Sequence, residues 1–117
     1  MTGPKSRRGW MREGRHFEMT RVRLTALAEF DLVEAQDFYA PNGGWVVDHF
    51  MKNIDKALSD LAETAGIHSQ YYGHYRVGVP HFPFSIYYDI EGDSVIVKAI
   101  LDDRFGPLRI SAHFGPK

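Results

Sequence analysis

The side chains with chemical potential gather in the second half of the chain: Tyr75, Arg76, His81, Tyr87, Tyr88, Lys98, Arg104 and Arg109. Arginine grips phosphate or carboxylate through two parallel N–H donors, and Tyr or His serves in general acid–base steps. Such a set could activate a ribose 2′-hydroxyl and stabilise the phosphorane of RNA cleavage, with Arg76, Tyr87 and Arg104 as the candidate catalytic groups. Taken one at a time, each also fits a polar residue at a sheet edge or a core tyrosine. Alternation along a strand puts Tyr87 and Tyr88 on opposite faces, so only one of them joins a site.

Other catalytic patterns are absent from the sequence. Of the six histidines, His49 has Lys52 and Asn53 at i+3 and i+4, and His68, His74 and His81 lack any regular spacing. A site built from His74, His81 and Asp89 is conceivable, but no spacing demands it, so neither a metal nor another cofactor is expected. The chain has no Gly-x-Ser-x-Gly, no Walker loop and no Gly-x-Gly-x-x-Gly. Asn42-Gly43-Gly44-Trp45 is glycine-rich but follows a helical pattern, which makes it a helix-to-helix turn rather than a phosphate cradle. Asp102 and Asp103 are adjacent, point to opposite faces of a strand, and read as solvated strand-end charges.

The elements that must position these residues follow from periodicity. Thr20–Leu24 reads as a first strand. From Thr25, a plausible N-cap, Ala28, Leu32, Ala35 and Tyr39 recur on one helix face, and Pro41-Asn42-Gly43-Gly44 breaks the pattern. A second apolar stripe, Val47, Phe50, Ile54, Leu58, Leu61 and Ala65, runs to Gly66. Residues 67–74 read as a loop. Strands are expected near Tyr75–Val79, over Phe82–Ile90 and over Ser94–Leu101, with Glu91-Gly92-Asp93 as a hairpin turn. Arg109–Phe114 reads as a short last element. The class is α+β in the order β-α-α-β-β-β, a helical hairpin packed on a small antiparallel, partly mixed sheet.

With 117 residues, 44% hydrophobic and 25% charged, the chain has the make-up of one globular domain. It contains no cysteine, which excludes disulfides and thiolate metal sites and fits a reducing, cytoplasmic setting. Apolar runs are too short to span a membrane, and the first residues lack the apolar core of a signal peptide. The net charge of -1 divides unevenly: residues 1–18 carry five Lys/Arg against two Glu, and residues 19–117 carry nine basic against thirteen acidic side chains. An acidic body with a basic arm argues against a protein that coats nucleic acid. Residues 1–18 are therefore read as a flexible arm, with Met19 a possible true start, and 19–117 as the domain.

Taken in order, several stretches resemble the RelE/ParE superfamily of toxins from bacterial toxin–antitoxin pairs: Leu24–Ala35, Phe38-Tyr39, Tyr75-Arg76-Val77, Phe82–Tyr88 and Val97–Leu101. The likeness spans about Arg21 to Pro107. It departs at the C-terminal end, where Asp102 stands for the family's frequent histidine, Phe105 for its arginine and Ile110 for its trailing tryptophan; Arg104 is one step out of register. The resemblance implies one of two activities. The ParE branch inhibits DNA gyrase by protein–protein contact without catalytic residues, and the RelE branch cleaves messenger RNA on the ribosome. The acidic domain is closer to the ParE branch. A non-toxic binding module is a third reading. The resemblance also implies a cognate antitoxin laid as an amphipathic helix in a groove, and a homodimer or a hetero-oligomer with it. Tyr75, Arg76, His81, Arg104 and Arg109 are the candidate residues for binding target or antitoxin.

Overall fold

The structure, a computed structural model, describes residues 21–105. The arm, Met19, Arg109, Ile110 and the short last element lie outside the described residues. Strand β1 (Arg21–Leu24) leads into helix α1 (Ala26–Tyr39), a 3-10 turn (Ala40–Asn42) and helix α2 (Gly44–Thr64). Strands β2 (Gln70–Tyr71), β3 (His74–Gly78), β4 (Phe84–Glu91) and β5 (Ser94–Asp102) follow, closed by a 3-10 turn over Asp103–Phe105. They form one sheet in the order β1-β5-β4-β3-β2, in which β1 runs parallel to β5 and all other pairs are antiparallel. This is the expected α+β order with one added two-residue strand.

Local chemistry accounts for the boundaries. The Thr25 hydroxyl accepts from the Ala28 N–H at 3.1 Å, and Glu29 puts negative charge in the first turn of α1. Gly43 joins the two helices with φ +117°, where a Cβ would lie 3.1 Å from the Trp45 ring. Along α2 the buried residues Phe50, Asn53, Ile54, Ala57, Leu58 and Leu61 face the sheet. Strand β4 begins at Phe84, two residues later than expected, because the Phe84 N–H turns back to the Phe82 carbonyl at 2.8 Å and Pro83 has no N–H. The added β2 pairs with β3 through Tyr72 and Gly73, both with positive φ. A left-handed tyrosine is not a turn signal a sequence offers, so this hairpin reads as loop.

A bulge sets the faces of β5. Tyr87 pairs with Ala99 and Tyr88 with Val97, leaving Lys98 as the extra residue. Val95, Val97 and Ile100 therefore pack under the helices with Tyr88, whereas Ala99 and Leu101 join Tyr87 on the opposite face. Under the helices Tyr39, Phe50, Phe82 and Phe84 form an aromatic cluster with ring centroids 5.1–6.1 Å apart. At the far end of α2 the Tyr88 hydroxyl accepts from the Gly66 N–H at 3.0 Å and meets His68 Nδ1 at 2.6 Å. Burial lowers the His68 pKa and raises that of Tyr88, so the neutral imidazole is the natural partner of the phenol.

One buried polar contact ties helix to sheet. Strand β1 stops at Leu24, opposite Val97, and the Thr25 N–H takes the Val97 carbonyl at 3.0 Å. Further along β5 the Ile100 N–H donates to Asp31 Oδ2 at 3.0 Å, and Asp31 is only 5% exposed. Truncation would strand that amide in the core, where an unmet donor costs about 1–3 kcal/mol. Asp31→Ala is expected to lower the urea midpoint by the equivalent of about 2 kcal/mol with an unchanged slope, measured by chemical unfolding.

Candidate functional site

Strand pairing brings the central group together on the face turned away from the helices. Arg76 of β3 is the cross-strand partner of Tyr87 in β4. Its guanidinium Nη2 donates to Asp103 Oδ1 at 3.2 Å and its Cζ lies 4.7 Å from the Tyr71 ring centroid. The buried Ser85 hydroxyl donates to the same Asp103 oxygen at 2.7 Å. Burial lowers the Arg76 pKa, but Asp103 and Tyr87 more than offset it, so the net shift is upward. Burial raises the Tyr87 pKa; Arg76 opposes that rise and Asp103 and Tyr71 add to it. At neutral pH Tyr87 is a proton donor, not a base.

Two residues further along β3 and β4, beside Lys98 of β5, lies a second charged group. His74 Nδ1 meets Asp89 Oδ1 at 2.6 Å, and Lys98 Nζ reaches Asp89 Oδ2 at 3.8 Å. An imidazole held by a carboxylate is the geometry of an oriented base. Asp89 thus lies between the His74 imidazole of β3 and the Lys98 ammonium of β5. No group of three or more His, Asp or Glu among the described residues is arranged to hold a metal ion.

The other candidates go elsewhere. Tyr75 turns to the helix side and stacks on Tyr88, with centroids 5.1 Å apart and planes 19° from parallel. His81 sits in the loop before β4 with φ +68°, its ring 6.0 Å from that of His49. Arg104 is separated from Arg76 by its own carboxylate: Nε and Nη2 bond Asp102 at 2.9 and 2.6 Å, and Cζ lies 5.7 Å from the Phe38 ring centroid. The Asp102 hydrogen bond is the chief reason the Arg104 pKa is raised. The structure therefore joins Arg76 to Tyr87 and leaves Arg104 on the α1 side.

Asp102 corrects the expectation of a solvated strand-end charge, whereas Asp103 is exposed as expected but engaged. Asp102 is 9% exposed and also caps the turn through the Arg104 N–H at 2.8 Å, and Asp103 holds Arg76 and Ser85. The strand ends at Asp102 and the following 3-10 turn swings Asp103 back over β3 and β4, which alternation alone does not foresee. Beside Asp102 a cleft of about 310 Å³ opens between α1 and the ends of β4 and β5, lined by Asp31, Glu34, Asp37, Phe38, Phe84 and Leu101 among others. Sequence reading passed over this acidic cleft. Its signal was the run of carboxylates on α1 with no Lys or Arg between them.

The sequence model for the ParE toxin of the type II toxin–antitoxin system parDE matches residues 22–105. Among solved structures, a chain of the chromosomal ParDE toxin–antitoxin system from P. aeruginosa superposes with a TM-score of 0.63 at 22% identity, over 71% of this chain and 95% of that one. At that identity the likeness is one of fold. No curated protein matches the sequence significantly. No helix among the described residues is long and apolar enough to cross a membrane.

The Arg76–Tyr87 contact has a spectroscopic consequence. Because the guanidinium holds the phenol pKa down against burial, Arg76→Met is expected to push the Tyr87 titration further up. Resonances of 13C-labelled tyrosine followed through alkaline pH would read this directly, and an unmoved Tyr87 would mean that the guanidinium acts elsewhere.

Proposed function

The chain belongs to the ParE toxin family of type II toxin–antitoxin systems, and from that premise we propose that it inhibits DNA gyrase by protein–protein contact until a cognate antitoxin covers it. One observation carries this reading over ribosome-dependent cleavage of messenger RNA. The cations that would grip a phosphodiester are each engaged by a carboxylate: Arg76 by Asp103, Lys98 by Asp89 and Arg104 by Asp102. A phosphate would have to displace those carboxylates, and the acidic balance of residues 19–117 opposes its approach. A protein partner faces no such barrier, since paired charges and exposed apolar side chains are ordinary interface material.

The ribonuclease reading draws on Arg76 beside Tyr87 and on the His74–Asp89 pair, and the same experiment separates the two. The full chain, added to purified gyrase and relaxed plasmid, is expected to abolish supercoiling at near-stoichiometric ratios. Unchanged supercoiling at large molar excess contradicts the proposal. Cleavage of messenger RNA on translating ribosomes would move the activity to Arg76 and Tyr87.

A further inference from the structure

Where α2 ends, the chain is tied to the sheet through a buried hydroxyl. Tyr88 of β4 is fully buried, and its oxygen accepts from the Gly66 N–H at 3.0 Å and lies 2.6 Å from His68 Nδ1. Among the described residues these are its two hydrogen-bond partners. A phenol has one proton to give. The Gly66 contact uses a lone pair, so the proton goes to His68, whose Nδ1 accepts it while Nε2 carries the ring hydrogen. A second proton on the imidazole would make Nδ1 a donor. Two donors would then face the hydroxyl oxygen, and its own hydrogen would be left without an acceptor in the core.

The contact thus favours one charge state of His68. The titratable groups packed against the ring are Tyr88 of β4 and, stacked behind it, Tyr75 of β3. Burial alone lowers the His68 pKa, with no contribution from a carboxylate such as Glu63 in the last turn of α2. The segment held by this contact has little else to grip the core, since Ile67 is 75% exposed and Ser69 and Gln70 are exposed as well. Strand β2 follows at once, two residues long and at the sheet edge. The Ser69 carbonyl accepts the Arg76 N–H at 3.0 Å, and the Tyr71 ring lies under the Arg76 guanidinium. Short, exposed edge elements are the first to open.

We propose that His68 is a proton-operated clasp on the β2 edge: its neutral ring locks residues 66–71 to α2 and β4, and its protonation releases them and withdraws Tyr71 from Arg76. Because the folded chain disfavours the protonated ring, the lock is complete above the imidazole's ordinary value of 6.5 and is lost as pH falls below it. The device rests on the contacts of Tyr88 and His68, and neither gyrase nor an antitoxin enters it.

Imidazole 15N NMR and amide hydrogen exchange on the full chain test this. At about pH 7.5 His68 is expected as the tautomer protonated at Nε2. Between about pH 7.5 and 5.5 the protection of the Arg76 amide, corrected for intrinsic exchange, is expected to fall at least about threefold in step with His68 protonation, while Val95 and Val97 in β5 keep theirs. His68→Asn offers the hydroxyl an acceptor that takes no proton, and it is expected to flatten that response. Tyr88→Phe removes the hydroxyl and is expected to leave the Arg76 amide poorly protected already at the higher pH. A His68 tautomer protonated at Nδ1 at neutral pH, or an Arg76 amide indifferent to His68 protonation, would overturn the proposal. So would a response that survives in His68→Asn, which would assign it to the His74–Asp89 pair on the other face. If a variant fails to fold, the tautomer and the coupled titration of the unaltered chain still decide.

Discussion

The hydrogen bond from the Ile100 N–H to the Asp31 carboxylate fixes how everything else is arranged. Strand β1 is four residues long and β5 is nine, so among the described residues part of the β5 edge runs on without a strand beside it. A buried carboxylate is tolerated only where it is hydrogen-bonded, and a buried amide only where it has an acceptor. Each supplies what the other needs. The bond also sets the rotation of α1: with Asp31 turned inward, Ala28, Leu32 and Ala35 must follow, and Leu27, Phe30 and Phe38 must turn out. The Thr25 cap holds the start of the same helix against the Val97 carbonyl. Core packing and surface chemistry are thus settled by one side chain.

The charged residues of the sheet obey a similar economy. Arg76, Lys98, His74 and Arg104 each sit against an aspartate, across neighbouring strands for His74 and Lys98 and through the closing 3-10 turn for Arg76 and Arg104. Pairs this exposed contribute little to stability, but they cancel the local fields around these four residues. Helix α1, by contrast, carries acidic side chains and exposed apolar ones together and has no Lys or Arg.

Much of this was legible in the sequence. The Thr25 cap, the Pro41–Gly44 break, the apolar stripe of α2 and the opposite faces of Tyr87 and Tyr88 all rest on local rules, and the structure follows them. The order of elements, together with the Phe82–Tyr88 segment, also carried the family resemblance. What escaped depends on distant partners. The inward Asp31 is an ordinary helix-surface residue until the shortness of β1 is known. The roles of Asp102 and Asp103 depend on where β5 stops and how the chain turns, and the Lys98 bulge shifts alternation by one residue midway along a strand. Arg76 and Tyr87 meet by register, whereas Arg104 is drawn to its near neighbour Asp102, a contact two residues away in sequence that strand logic does not contain.

The most direct test of the central claim is native-state hydrogen exchange at the Ile100 amide. If Asp31 closes the β5 edge, Ile100 exchanges as slowly as the core amides of the same strand, Val95 and Val97, and speeds up in Asp31→Ala while the Gly92–Asp93 turn is unaffected. An Ile100 amide that exchanges as fast as that turn in the unaltered chain would mean that the helix is held to the sheet by apolar packing alone.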